Sequence, residues 1–97
     1  MPTFVSLVNW TDKGVANFKD TVRRSEDANR AASGMGGSIK EMFWTVGPYD
    51  LVVIADFPDD ASATAFLLAL GSAGNVRTTT MRAYNADEMR QIIAKVG

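Results

Sequence analysis

Short β-like runs alternate with helical ones along this chain. Thr3 to Trp10 is rich in β-branched and aromatic residues and too short for a helix, so it predicts a first strand. Thr11 is placed to cap a helix, with Asp12 in its first turn, where negative charge suits the helix dipole. Val15, Phe18, Val22, Ser25, Asn29 and Ala32 follow at spacings of three and four, which predicts one helical face, apolar at its start and weakly polar further on. Lys19, Arg23, Arg24, Glu26, Asp27 and Arg30 fall mostly elsewhere and read as a solvated face. Gly34 to Gly37 stop the helix.

Two β-rich runs, Lys40 to Val46 and Leu51 to Phe57, then flank Gly47-Pro48-Tyr49-Asp50. Pro48 fixes φ near −65° and donates no hydrogen bond, and Gly47 can take φ > 0, so a hairpin is expected to reverse here. The second run is almost continuously apolar, the pattern of a strand covered on both faces. Asp59 or Asp60 can cap a second helix with Ala63, Phe66, Leu67 and Leu70 as its buried stripe. Asn75 to Tyr84, with three consecutive threonines, predicts a fourth strand. Asn85 and Glu88 have capping-box spacing, and Met89, Ile92, Ile93 and Val96 form the cleanest amphipathic stripe in the chain, expected to be buried.

The predicted order is β-α-β-β-α-β plus a C-terminal helix, over residues 1–97 as a single domain. This is the α+β, ferredoxin-like arrangement: one antiparallel sheet with its two main helices on one side. Such a sheet has a second face, and these strands are apolar in both parities. Val5 and Leu7 alternate with Phe4 and Val8, and Val52 and Ile54 with Leu51 and Val53. A second copy of the same sheet is the economical cover for that face, so self-association as a homodimer or an assembly of dimers is expected.

Composition narrows the chemistry. Ten basic and eleven acidic side chains leave a net charge of −1 with no block of like charge, which argues against nucleic acid as a partner. No charged-then-apolar leader and no apolar run near 18 residues appears, so no membrane segment is expected and the cytoplasm is the default location. Histidine and cysteine are both absent. That removes disulfides, the usual zinc, copper and iron sites, and Ser-His-Asp or Cys-His catalysis. No cofactor, metal site or catalytic set is therefore assigned; what remains is carboxylate, Tyr, Lys and Arg chemistry.

Six residues are the candidates for a ligand pocket. Tyr49 and Asp50 sit where the hairpin enters its second strand, either at a pocket mouth or as turn residues, with Asp50 accepting backbone N–H bonds. Trp10 and Trp44 can line an apolar pocket or anchor a core or interface. Arg77 and Arg82, five residues apart on one strand, point to opposite faces. An arginine in an apolar barrel needs a carboxylate partner, a route to water or an anionic ligand, so a small anionic molecule is the ligand class to expect.

The chain resembles the GYD-domain proteins of the dimeric α/β-barrel superfamily. The likeness rests on Val5 to Asn9, Met35-Gly36-Gly37, Phe43 to Gly47, Tyr49 to Ile54, Gly74 to Thr78 and Ile92 to Lys95. The signature Gly-Tyr-Asp stands here as Gly47-Pro48-Tyr49-Asp50, a Gly-x-Tyr-Asp form. The resemblance implies a ferredoxin-like fold and self-association and no particular activity. Two function classes follow: a non-enzymatic module for oligomerisation or small-ligand binding, or a small cofactor-independent enzyme of monooxygenase or dehydratase type using Tyr, Asp and Arg chemistry. The module is the reading adopted from the sequence, since fold analogy alone is a weak warrant for catalysis.

Overall fold

The computed structural model describes residues 1–97. Strand β1 (Thr3–Trp10) leads through a short helix α1 (Asp12–Ala16) and a 3-10 turn (Phe18–Asp20) into α2 (Thr21–Gly34). The hairpin β2 (Ser38–Trp44) and β3 (Leu51–Asp56) follows, then α3 (Asp60–Ser72), β4 (Val76–Ala83) and α4 (Ala86–Ala94). The four strands form one sheet in the order β2-β3-β1-β4, every neighbouring pair antiparallel. That is the ferredoxin-like fold expected from the order of elements. No helix is long and apolar enough to cross a membrane.

Register assigns each strand's two faces. Phe4, Ser6, Val8 and Trp10 of β1 lie level with Ala55, Val53 and Leu51 of β3 and with Arg82, Thr80, Thr78 and Val76 of β4. This is the face the helices cover. Ala55, Phe57, Ala63, Phe66 and Ala32 form one buried cluster there, and Val8, Leu51 and Val53 a second. The Phe57 ring meets Phe66 at 5.1 Å and Phe4 edge-on at 6.2 Å, so aromatic packing locks α3 to the sheet. Asp59 is the N-cap of α3, accepting the Ser62 backbone N–H at 2.7 Å; that bond holds its carboxyl below the ordinary value.

The other parity, Val5, Leu7, Val52, Ile54, Phe43 and Met81, lies on the opposite face of the sheet. Neither buried cluster contains a residue from it. Phe43 and Met81 are exposed, and Val5, Leu7, Val52 and Ile54 are half-buried.

Two expectations need correction. The first helix is not continuous: it breaks at Asn17, whose φ/ψ of −108°/34° is non-helical. Gly14 sets the geometry, because α1 lies so close to the β4 approach that a Cβ on Gly14 would sit 2.0 Å from the Asn75 carbonyl oxygen. Thr11 and Lys13 reinforce the contact, the Thr11 hydroxyl donating to the Gly74 carbonyl at 2.6 Å and the Lys13 amine to the Ala73 carbonyl at 2.8 Å. With α1 held there, the chain must turn before α2 can run back along the sheet. Val15, Phe18 and Val22 are then exposed, and the inward stripe of α2 is Thr21, Ser25, Ala28, Ala32 and Met35.

The second correction concerns α4. Its capping box is present in full, Asn85 and Glu88 exchanging backbone-to-side-chain bonds at 3.0 and 2.8 Å. Yet none of its residues is buried: Ile93 is 61 % and Val96 85 % exposed. The helix is held at its start, where Glu88 approaches Arg82 at 3.9 Å, and its apolar stripe faces no part of this chain's core.

One ion pair closes the edge of the sheet. Asp56 is buried at the end of β3; its carboxylate accepts from the Thr3 hydroxyl at 2.7 Å and pairs with Lys40 at 3.1 Å. Lys40 reaches it because a bulge lies between Ile39 and Glu41. Burial alone would raise the Asp56 pKa; the Thr3 bond and the Lys40 ammonium outweigh it, and the carboxyl titrates below its ordinary value. A depressed pKa gives stability that is complete above the unfolded value near 4 and is lost as pH falls through the folded value. Asp56→Asn should therefore lower unfolding stability at pH 7 by about 1–3 kcal/mol. Urea midpoints measured from pH 7 to pH 3 should show the gap closing on the acid side, and a gap that persists at pH 3 would contradict this role.

Candidate functional site

Between the helix face of the sheet and the inner sides of α2 and α3 lies a cavity of about 300 Å³. Its floor is the C-terminal half of β1 with the start of β3: Val8, Trp10, Leu51 and Val53. Its roof is made mostly of small residues, Ala28 and Ala31 of α2 and Ala69 and Ala73 at the end of α3, with Leu70 beside them. The hollow follows from that composition. Alanines on both helices leave unfilled the volume that Leu or Phe would occupy in a core packed at normal density. Its polar groups gather on the α2 side, in Thr21, Arg24, Ser25 and Asp27, with Asn75 opposite.

The six sequence candidates separate on this geometry. Trp10 lines the cavity; the other five do not. Trp44 stands outside, in a shallower, more polar groove with Lys40 and Glu41, and its indole N–H donates to the Thr21 hydroxyl at 3.0 Å. Asp50 lies behind the floor, where its carboxylate accepts the Trp10 backbone N–H at 2.8 Å while its own N–H donates to the Val8 carbonyl at 2.8 Å. Asp50 thus extends the β1–β3 ladder with a side chain where backbone pairing ends, and so fixes the position of Trp10. The turn before it is closed by the Thr45 N–H donating to the Asp50 carbonyl at 2.8 Å and the Thr45 hydroxyl to the Tyr49 carbonyl at 2.6 Å. Gly47 takes φ +135° there, a conformation an L side chain rarely adopts.

The two arginines do face opposite sides of the sheet. Arg77 is exposed and shares its parity with the open face, level with Asn9. Arg82 is on the helix side but at the far end of β4, level with Phe4. Its guanidinium lies 4.5 Å from the Tyr84 ring centroid and 5.7 Å from that of Phe4, and it donates to the Thr3 carbonyl at 3.2 Å. Its partners are structural: it joins the start of α4 to the sheet edge.

The charged residue that does reach the cavity with no acidic partner is Arg24. It belongs to a helix with several surface charges, and it shares the cavity-facing side of α2 with Thr21, Ser25, Ala28 and Ala31. Charge pattern alone does not distinguish it from Arg23 or Arg30. No group of three His, Cys, Asp or Glu residues is placed to hold a metal ion.

With this geometry in place, comparison with known proteins identifies the lineage. The family model described as the GYD domain matches residues 4–93. The chain belongs to the GYD-domain family. Its Gly-x-Tyr-Asp signature is the turn just described, and the role of the aspartate here is to close the β1 end. A curated relative from Thermus thermophilus, named "Glutamine synthetase and cystathionine beta-lyase binding protein", is 31 % identical over 84 residues, covering 86 % of this chain and 88 % of the relative. Among solved structures, FFRP-DM1 superposes with a TM-score of 0.63 at 20 % identity, covering 87 % of this chain and 100 % of that one. TTHA0845, also from Thermus thermophilus, superposes at 0.57 and 23 % identity, covering 89 % and 96 %. At such identities these two structures establish the shared fold.

Proposed function

We propose that this GYD-domain protein is a non-enzymatic binding module that works as a self-associated assembly. Two copies pair through the open faces of their sheets and close them into a barrel, and the assembled form engages other proteins. The observation that carries this is the apolar open face, Val5, Leu7, Val52, Ile54, Phe43 and Met81, which the chain's own helices leave uncovered.

Magnitudes support it. Only 10 of 97 residues are buried, and the accessible surface is 6283 Å². A monomeric protein of 10.5 kDa should expose about 5,400 Å². The excess, about 900 Å², matches the roughly 800 Å² each partner gives to a standard interface. The radius of gyration, 14.5 Å, exceeds the ~12.5 Å of a compact chain this long. The stripe on α4 adds a second surface of the same kind. The binding role toward other proteins takes its support from the name of the Thermus relative.

The absence of cysteine makes a direct test clean. Single cysteines placed in turn at Val5, Leu7, Val52 and Met81 should give covalent dimers with a short bismaleimide, because an isologous contact brings residues near its axis against themselves. Thr64→Cys, on the exposed side of α3, should give none. Failure of every open-face position to cross-link would overturn the pairing. Purified glutamine synthetase is the first protein probe, with retention expected on the immobilised assembly and none on a monomeric variant.

A further inference from the structure

We infer that the cavity between the sheet and helices α2 and α3 is a binding site for a small hydrophobic carboxylate, with Arg24 receiving the acid group. This stands apart from the pairing of sheets, since the cavity is on the helix side of each protomer.

Size sets the first limit. A volume of about 300 Å³ equals the liquid-phase share of about ten water molecules, so the site takes a molecule of roughly ten to twelve non-hydrogen atoms and lies at the small end of ligand pockets. The walls set the second. Val8, Leu51, Val53 and Leu70 offer no hydrogen bonds, and Trp10 adds a flat ring, so most of the ligand must be apolar, with an aromatic or branched body.

The third limit is charge. Arg24 uses one N–H of each terminal nitrogen, donating to the Asn17 carbonyl at 2.8 Å and to the Gly14 carbonyl at 3.1 Å. Both acceptors are neutral, and they clamp the guanidinium of this half-buried residue against the helix break. It forms no ion pair with any carboxylate of the chain. Asp27, the other charged residue on the wall, already pairs with Arg30. Arg24 therefore lines an apolar cavity with a charge that no carboxylate of the chain compensates, and three of its five N–H donors make no bond within the chain. The Thr21 and Ser25 side chains lie one turn apart on the same wall. A carboxylate fits that group by charge and by fork geometry, whereas a cation is repelled and a neutral amide offers one acceptor oxygen and no opposite charge.

The experiment uses the full chain and two probes of equal shape, 3-phenylpropionate and 3-phenylpropionamide, followed by NMR of the side-chain methyls. The carboxylate should move the signals of Val8, Leu51, Val53 and Val76 saturably and bind about tenfold tighter than the amide. Arg24→Gln should abolish that preference, the carboxylate losing most of its affinity and the amide much less. Ala28→Leu, which fills the roof, should remove both. Should Arg24→Gln fail to fold, raising salt on the unaltered chain must weaken carboxylate binding and leave the amide untouched. Saturable shifts confined to other surfaces, equal affinity for acid and amide, or no saturation of the cavity methyls by millimolar carboxylate would each overturn the assignment.

Discussion

Leu7→Glu should turn the protein into a 10.5 kDa monomer at low micromolar concentration. Leu7 sits at the centre of the open face, paired with Val52 on one side and Thr79 on the other. A carboxylate there tolerates the monomer well, because the face is then in water. In the assembly the same group is buried without a partner, and two-fold pairing introduces it twice. A desolvated, unpaired charge costs about 2–5 kcal/mol, so two weaken association by at least about a thousandfold. The helix-side clusters contain no open-face residue, so the secondary structure of the protomer should persist. Sedimentation velocity across a concentration series reads the outcome. A variant that sediments like the unaltered chain would show that the assembly uses another surface.

Removing residues 86–97 should give the second large effect, and its character separates two roles for α4. None of the helix is buried within the protomer, so truncation should leave the sheet and both clusters in place. Met89, Ile92, Ile93 and Val96 are nevertheless four exposed apolar groups on one short segment, which pairing of two copies is expected to cover. Full burial of such a side chain contributes roughly 1.5–3 kcal/mol, so even partial burial of four of them against a partner amounts to several kcal/mol per protomer. The truncated chain should dissociate or aggregate, with a melting temperature that becomes strongly dependent on concentration. An unchanged assembly and melting point would mean that α4 is an appendage with no part in self-association.

Much of the fold was legible because the strands carry their own evidence. Thr3 to Trp10 coincides with β1, and the threonine run of β4, the hairpin around Gly47 and the Asn85–Glu88 capping box appear where β-branched residues and turn chemistry put them. The helices were less legible for two distinct reasons. In α2 the inward residues are Thr, Ser and Ala, with so little hydrophobic contrast that Val15, Phe18 and Val22 looked like the buried stripe; the close approach of Gly14 to Asn75, a contact 61 residues distant in sequence, decided otherwise. In α4 the amphipathic period marks one apolar face, but the chain leaves that face exposed, because periodicity never says against what a face packs.

The candidate site divides along the same line. Trp10 was within reach of sequence reasoning because aromatic residues on a central strand line whatever lies above it. Asp50 was recognisable as an acceptor for backbone N–H groups, though its donor, Trp10, is forty residues away and on another strand. Arg82 and Arg77 were assigned to opposite faces by simple alternation, and each is placed so, yet neither touches the cavity. Arg24 was hidden among surface charges, since its bonds to the Gly14 and Asn17 carbonyls form across the break at Asn17, which the sequence pattern did not show.

The measurement that bears most directly on the account is the mass of the unaltered chain in solution, by sedimentation equilibrium between about one and one hundred micromolar. Pairing through the open face predicts twice 10.5 kDa, or an even multiple of it, throughout that range. A species that remains at 10.5 kDa up to the highest concentration would contradict it.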